Sequence, residues 1–410
     1  MKKKLAFLLA ATLLLGVAGC GAKEEPAVKE ETPAAVEAPE AEEEESGGAD
    51  LSGDPIKIGF TTVLTGDRSL EGEYGSNAVA LVEEEINAAG GVLGRPIEIV
   101  IEDALGTDVG AVNAYRKLAA DEDIALIIGS DSSNDNIAIS GSVLEAKIPT
   151  IAQGSSPKLT AVCDDENPYM FQIRTSDATL CEALVKYAVE EKGLKTFAVI
   201  HDTESASSDQ ARLFTEALAK YDIEPTVVVP FTTGTKDFSS HLVQIQNTQP
   251  DAVIAAMFHT EAAIVVQQMR AMGMEMPIFG SNAFGDPITI GLAGEYMNNV
   301  FSVTAWVPNT PNEKGAAFSQ KYTDTYGVEC AQSAAKIYDM VYIACEAIER
   351  AGTTDREAVR EAMTTIDGYE GAITTYDCRT NGACGRGGLV VEVVDKVPTI
   401  REDVYAEKDL

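Results

Sequence analysis

From residue 56 to residue 280 the chain repeats one alternation, a short apolar run followed by a longer segment whose apolar residues recur at helical spacing. The run at 56–60 is followed by Ala78, Leu81, Val82 and Ile86, a helical series that stops at Gly90-Gly91. Ile97, Ile99 and Ile101 alternate as a strand, Ala114 and Leu118 mark a second helix, and 124–128 is apolar throughout. Further strands are expected at 149–152, 196–201, 225–230, 252–257 and 277–280, with helices between them, for instance over 205–220 and 261–272. A strand that is apolar at every position must be covered on both faces, and parallel strands need crossover helices to cover them. The pattern therefore requires an α/β chain with parallel sheets wound on both sides, and the stretch from Pro55 is long enough for two domains.

The first fifty residues follow different rules. Lys2, Lys3 and Lys4 precede an apolar stretch over 5–15 that is too short for a typical membrane span. Val17-Ala18-Gly19-Cys20 then resembles the lipobox of bacterial lipoproteins. That resemblance implies a signal peptide over 1–19 and a lipid on Cys20, and two or more acyl chains would anchor the chain stably to the cell membrane on its extracytoplasmic side. Residues 20–54 are rich in Glu, Pro and Ala, with an acidic run at 42–45. Such a segment has little to bury and repels itself, so it reads as a disordered tether. The formal net charge is −34, and no basic face offers a footprint for nucleic acid.

Seven cysteines occur, and six remain once Cys20 is assigned to lipid. Cys378 and Cys384 flank Thr380-Asn381-Gly382, a turn signal, and are the candidate disulfide of an exported protein. Cys330 and Cys345 read as buried thiols on helices. No His or second short Cys pair adjoins Cys378 and Cys384, so a metal site is not expected there.

Polar and small residues gather just beyond the carboxyl ends of the expected strands. Thr61-Thr62 and Thr65-Gly66, Gly129-Ser130-Asp131-Ser132-Ser133, Gln153-Gly154-Ser155-Ser156, His201-Asp202, Phe258-His259 and Ser281-Asn282 all fall there. Open α/β sheets bind ligands at that edge, where backbone N–H groups and helix N-termini converge. Serines in such places are also helix N-caps. It is the coincidence of several clusters that points to a site.

Those residues lie within a longer resemblance. Pro55-Ile56-Lys57-Ile58-Gly59-Phe60, Leu64-Thr65-Gly66, Tyr74-Gly75, Glu85-Ile86-Asn87-Ala88-Ala89-Gly90-Gly91-Val92 and Gly94-Arg95-Pro96-Ile97 are similar to the opening of the leucine/isoleucine/valine-binding family of type I periplasmic binding proteins. Asn167-Pro168-Tyr169-Met170-Phe171, Ser176-Asp177, Lys236-Asp237-Phe238-Ser239, Pro250-Asp251-Ala252-Val253 and Pro277-Ile278-Phe279-Gly280 continue it. The resemblance implies two doubly wound lobes, 55–174 plus 305–363 and 175–304 plus 364–410, joined by a three-segment hinge. It implies an ABC importer's substrate-binding protein, a monomer without cofactor, that closes on a small amino-acid-like ligand and docks on a membrane permease.

By the same resemblance Ser133 and Ser156 hold the ligand carboxylate, with Ser155 as an alternative to Ser156, and Gly154 offers a carbonyl to the ammonium. Charge-assisted bonds of this kind are worth about 1.5–3 kcal/mol each. Tyr74 packs on the ligand, and Asp177 stands at the entrance of the second lobe. The second lobe departs from the family pattern: Ala206 replaces a tyrosine, the aromatic pair is Phe258-His259, and Asn282 stands where an acid faces the ammonium. Either Glu204, Asp202 or Glu261 supplies that charge, or the ligand has no free ammonium. Branched-chain amino acids, another amino acid, an amide and a small carboxylate all stay open.

An enzyme is not expected. Only His201, His241 and His259 could serve histidine chemistry, and no nucleophile elbow, zinc-binding helix or phosphate loop is present. The alternative function is the ligand-binding part of a sensory system on the same bilobal module.

Overall fold

The computed structural model describes residues 51–405 except Asp67, Thr380 and Ala383. The signal segment, Cys20 and most of the tether lie outside the described residues. The first lobe opens with β1 (Ile56–Thr62), α1 (Ser69–Ala88), β2 (Ile97–Asp103), α2 (Asp108–Ala119), β3 (Ile124–Ile128), α3 (Ser133–Ala146), β4 (Thr150–Ala152), α4 (Pro157–Ala161) and β5 (Met170–Gln172). The five strands are parallel, in the order β2-β1-β3-β4-β5. The second lobe follows with α5 (Asp177–Lys186), β6 (Phe197–Asp202), α6 (Ser205–Ala219), β7 (Val227–Phe231), α7 (Ser239–Thr248), β8 (Ala252–Ala256), α8 (His259–Ala271), β9 (Ile278–Gly280), α9 (Pro287–Ala293) and β10 (Val300–Thr304). The chain then gives α10 (Glu313–Tyr326), α11 (Gln332–Ala351), α12 (Arg356–Met363), the small β11 (Asp367–Glu370) and β12 (Thr375–Asp377), and finally β13 (Gly387–Val394) and β14 (Val397–Tyr405). The second sheet runs β14-β13-β10-β9-β8-β6-β7, with β13 and β14 antiparallel at one edge.

Strand β8 shows why these runs are apolar at every position. Ala252 and Ile254 enter the core on one face of the sheet, Val253 and Ala255 the core on the other. The expected glycine stop of α1 is present, since Gly90 and Gly91 both adopt positive φ just past its end. Helix α11 is buried around most of its circumference, along α1 on one side and against β3 and α12 on others.

Three segments cross between the lobes, at 173–176, 305–312 and 378–386. The first and third run together: the N–H of Cys384 donates to the Gln172 carbonyl (3.0 Å), that of Gly385 to the Arg174 carbonyl (3.1 Å), and the Thr175 hydroxyl to the Gly387 carbonyl (2.7 Å). Ile366, Ala372 and Tyr376 join the core of the first lobe. The chain therefore re-enters the second sheet only at Gly387, later than residue 364, because the β11–β12 hairpin needs the apolar cover of α11.

Cys378 is a buried free thiol, so the expected bridge to Cys384 is not formed in this structure. The turn does close, with the Asp377 N–H on the Cys384 carbonyl at 3.0 Å. Polar contacts hold it: Asp377 accepts from Arg379 (2.9 and 2.8 Å), and Asp164 accepts from the Gly382 N–H (2.6 Å). Cys163, Cys181, Cys330 and Cys345 are likewise buried free thiols. Among the described residues no helix is long and apolar enough to cross a membrane, and no group of three or more His, Cys, Asp or Glu could hold a metal ion.

Candidate functional site

The carboxyl edges of the two sheets face each other, and side chains of the two lobes bond directly across the gap. The Ser132 hydroxyl caps α3 by accepting from the Asp135 N–H, and donates to Glu204 of the second lobe at 2.8 Å. Ser156 caps α4 and donates to Asp209 at 2.5 Å. The Gln332 N–H at the start of α11 donates to Asp286 (3.0 Å), and Asn282 donates to the Gln332 side-chain oxygen (3.1 Å). Asp177 accepts from Gln210 (2.9 Å) within the second lobe. Burial raises its carboxyl pKa, against the charge of Arg174.

Within this gap lies a small cavity walled by side chains of both lobes. Phe60, Val63, Ile337 and Phe258 give it apolar walls; Thr62, Arg68, Glu71, Asp131, Gln153 and Ser333 give it polar ones. Phe258, at the N-cap of α8, lies under the Arg68 guanidinium at 5.1 Å, a cation–π contact between the lobes. Next to it, the Nδ1 of His259 meets Glu71 at 2.8 Å, while its Nε2 stands 3.8 Å from Asp286. Burial opposes charging this ring, but Asp286 and Glu71 outweigh it and lift its pKa to about 9. At the far wall Lys336 pairs with Asp131. Burial alone would raise the Asp131 pKa; Lys336 and Arg174 reverse that and lower it. The second oxygen of Glu71 and the hydroxyl of Ser333 are buried here without a hydrogen-bond partner. Buried polar atoms in that condition are left to bond water or a guest.

Of the residues named from the sequence, Ser133, Gly154, Ser155, Ser156, Asp177, Asp202, Phe258, His259 and Asn282 all come to these facing edges. Only Phe258 among them lines the cavity itself. Ser133 accepts the N–H groups of Ser155 and Ser156, both at 3.2 Å, and the Gly154 carbonyl accepts from Gln172 at 2.9 Å. Tyr74 does not line the cavity. Glu71, Gly72 and Gly75 occupy the cavity-facing stripe of α1, whereas Tyr74 lies beside it and stacks on Tyr322 at 5.8 Å.

The three acids weighed as substitutes for the missing charge are engaged elsewhere. Glu204 caps α6 through the Ala206 N–H (2.9 Å), Glu261 accepts from the Gly234 N–H (2.8 Å), and Asp202 accepts from the Glu204 N–H (2.7 Å). The acids on the cavity wall are Glu71 and Asp131. Asp131 stood within a cluster already marked in the sequence. Glu71 sits in the first turn of the helix after β1, which the strand-end rule reaches if it is extended by one turn. Ser333 and Lys336 come from a distant helix, and nothing local announces them.

A bilobal receptor with a solute cleft between facing strand ends is the class this arrangement defines. A family model described as periplasmic binding protein matches residues 55–397, and the chain belongs to the type I periplasmic binding proteins of the leucine/isoleucine/valine-binding family. It is 25% identical over 319 residues to the Leu/Ile/Val-binding protein BraC3 of Rhizobium johnstonii, covering 77% of this chain and 85% of that one. A leucine-, isoleucine-, valine-, threonine- and alanine-binding protein of Pseudomonas aeruginosa is 24% identical, with 76% and 83% covered. The crystal structure of a leucine-binding protein from Thermotoga maritima shares the fold with a TM-score of 0.77 at 24% identity, over 85% of this chain and 98% of that one. Members of the family are extracytoplasmic solute-binding proteins rather than enzymes.

Proposed function

We propose that this protein is the receptor of an ABC importer, tethered to the membrane by lipid on Cys20, and that it captures a small amino-acid-like solute by hinge closure. The observation that carries the reading is the row of direct bonds between the lobes, Ser132 to Glu204, Ser156 to Asp209, Glu71 to His259 and Asn282 to Gln332, around a cavity with unpartnered polar atoms. A solute that docks on the first lobe and then meets Phe258 and His259 favours the closed form by those added contacts. The names of the relatives point to amino acids. Glu71, in place of the second-lobe acid lost at Asn282, gives an ammonium or amide N–H its partner. The closed pair of lobes then docks on the permease.

Calorimetry against a panel of amino acids and their amides, combined with small-angle scattering, tests this. Binding should shrink the radius of gyration. A panel that produces neither heat nor compaction would remove the receptor reading. Detergent-phase partition that survives Cys20→Ser would remove the lipid anchor.

A further inference from the structure

Helix α6 carries two of the bonds that join the lobes, from Ser132 to Glu204 at its N-cap and from Ser156 to Asp209 further along. Asp202, the last residue of β6, stands two positions before that cap and is completely buried, at 0% exposure. One of its carboxyl oxygens accepts the Glu204 N–H at 2.7 Å. The other is buried with no hydrogen-bond partner, and so is the hydroxyl of Ser205 in the same turn. Two more acids stand close. Glu204 accepts the Ala206 N–H (2.9 Å) and reaches across the gap to the Ser132 hydroxyl (2.8 Å) and the Asn134 N–H (3.4 Å). Glu261, buried in the first turn of α8, accepts the Gly234 N–H at 2.8 Å.

Among the described residues, the bonds of these three carboxyl groups all go to neutral N–H and hydroxyl groups. His201 turns its Nδ1 to the Asp202 backbone carbonyl, at 2.7 Å. On the first lobe the charged groups beside Glu204 are Asp135 and Arg68, which pair with each other at 3.5 Å. Burial lifts the Asp202 carboxyl to about 7; the Glu204 N–H opposes that, and the charges of Glu204 and Glu261 add to it. An ionised Asp202 has one buried oxygen without a donor, beside two like charges. Water relieves it, and the turn reaches water by drawing the start of α6 away from the first lobe. That movement takes Glu204 off Ser132 and Asp209 off Ser156.

We propose that Asp202 is a proton switch of the hinge: with its proton it lets the start of α6 lie against the first lobe, and ionised it drives that turn outward and loosens the cleft. The inference rests on the hinge-closure reading above and adds to it a dependence on the pH around the protein. A closed form that holds this proton more tightly than the open form is favoured at low pH. The advantage is gone once the pH has risen through the closed-form pKa. Asp202 is a positioning residue that lines no part of the cavity, so every solute weakens by a common factor.

The test follows two quantities from about pH 5.5 to about pH 8: the ligand-free radius of gyration, and the affinity for the tightest binder of the amino-acid panel. His259, whose pKa is about 9, keeps its proton over most of that range. Wild type should expand and bind about three- to tenfold more weakly at the upper end. Asp202→Asn keeps the acceptor for the Glu204 N–H and brings no charge, so it should stay compact with a constant affinity. Glu261→Gln keeps the acceptor for Gly234 and should move the wild-type midpoint to lower pH, a shift that a merely structural role would not produce. A wild-type radius and affinity that both stay constant overturn the switch, and so does an Asp202→Asn profile that follows wild type. Should Asp202→Asn fail to fold, Glu261→Gln decides, and an unmoved midpoint overturns the switch. Tight solute binding with a flat profile leaves the receptor standing without it. If no panel solute binds at any pH, the receptor reading falls and the ligand-free radius alone decides the switch.

Discussion

His259 bonds to Glu71 with one ring nitrogen and has Asp286 beside the other, so the proton on this ring ties the lobes together. Its pKa in the folded protein, about 9, lies above the ordinary 6.5. The stabilisation is therefore complete below about pH 6.5 and is lost as the pH rises through 9. Asp202, which burial lifts to about 7, favours the folded state at low pH and loses that contribution as the pH rises through 7, so the window from about 8 upward isolates the histidine. The difference in unfolding midpoint between wild type and His259→Gln should shrink across that window; a constant difference would show that the ring carries no such proton. Only three histidines are present, so imidazole NMR titration can follow each one. Glu71→Gln should lower the highest of the three pKa values by about one unit or more, as loss of an adjacent opposite charge does. At this scale the sequence was partly legible. His259 was marked because it follows a strand, whereas Glu71, its partner 188 positions away, lies a turn beyond the strand end and was not marked.

Helix α1 comes so close to the loop after β1 that a Cβ on Gly72 would lie 1.9 Å from the Val63 carbonyl oxygen. Gly72→Ala should therefore destabilise by about 1–3 kcal/mol or more, read by urea unfolding, and should also weaken solute binding because the same contact shapes the cavity wall. In α11, Ile348 is fully buried in the first core, far along the helix from Gln332 and Lys336. Ile348→Ala should cost about 2–5 kcal/mol while leaving affinity unchanged. A loss of affinity as large as that for Gly72→Ala would mean that the whole helix, rather than its first turns, sets the site. Strands and helices were legible because their periods are properties of the local chain, as the alternation in β8 illustrates. The placement of Tyr74 was not, since one face of a helix differs from the next only through what packs on it.

Over the whole molecule side-chain bonds link the two lobes, and on the hinge-closure reading proposed above they hold the closed form. Asp209→Ala and Asn282→Ala each remove one of them from the second lobe without touching the cavity walls. The double variant should raise the ligand-free radius of gyration in small-angle scattering. It should also weaken every ligand by a common factor of about three to ten, because apparent affinity scales with the fraction of closed molecules. Variants that weaken ligands without opening the hinge would place these residues in direct contact with solute instead.

The sequence by itself determined the alternation of strands and helices, the sheet edge at which polar residues gather, and the family. Each of these is written in short-range periodicity or in ordered motifs. The tertiary structure alone decided which polar residues line the cavity and which merely cap helices. It also decided that the β11–β12 hairpin belongs to the first core. Those outcomes depend on contacts between segments tens to hundreds of residues apart, and such a contact leaves no trace in the local pattern of either segment.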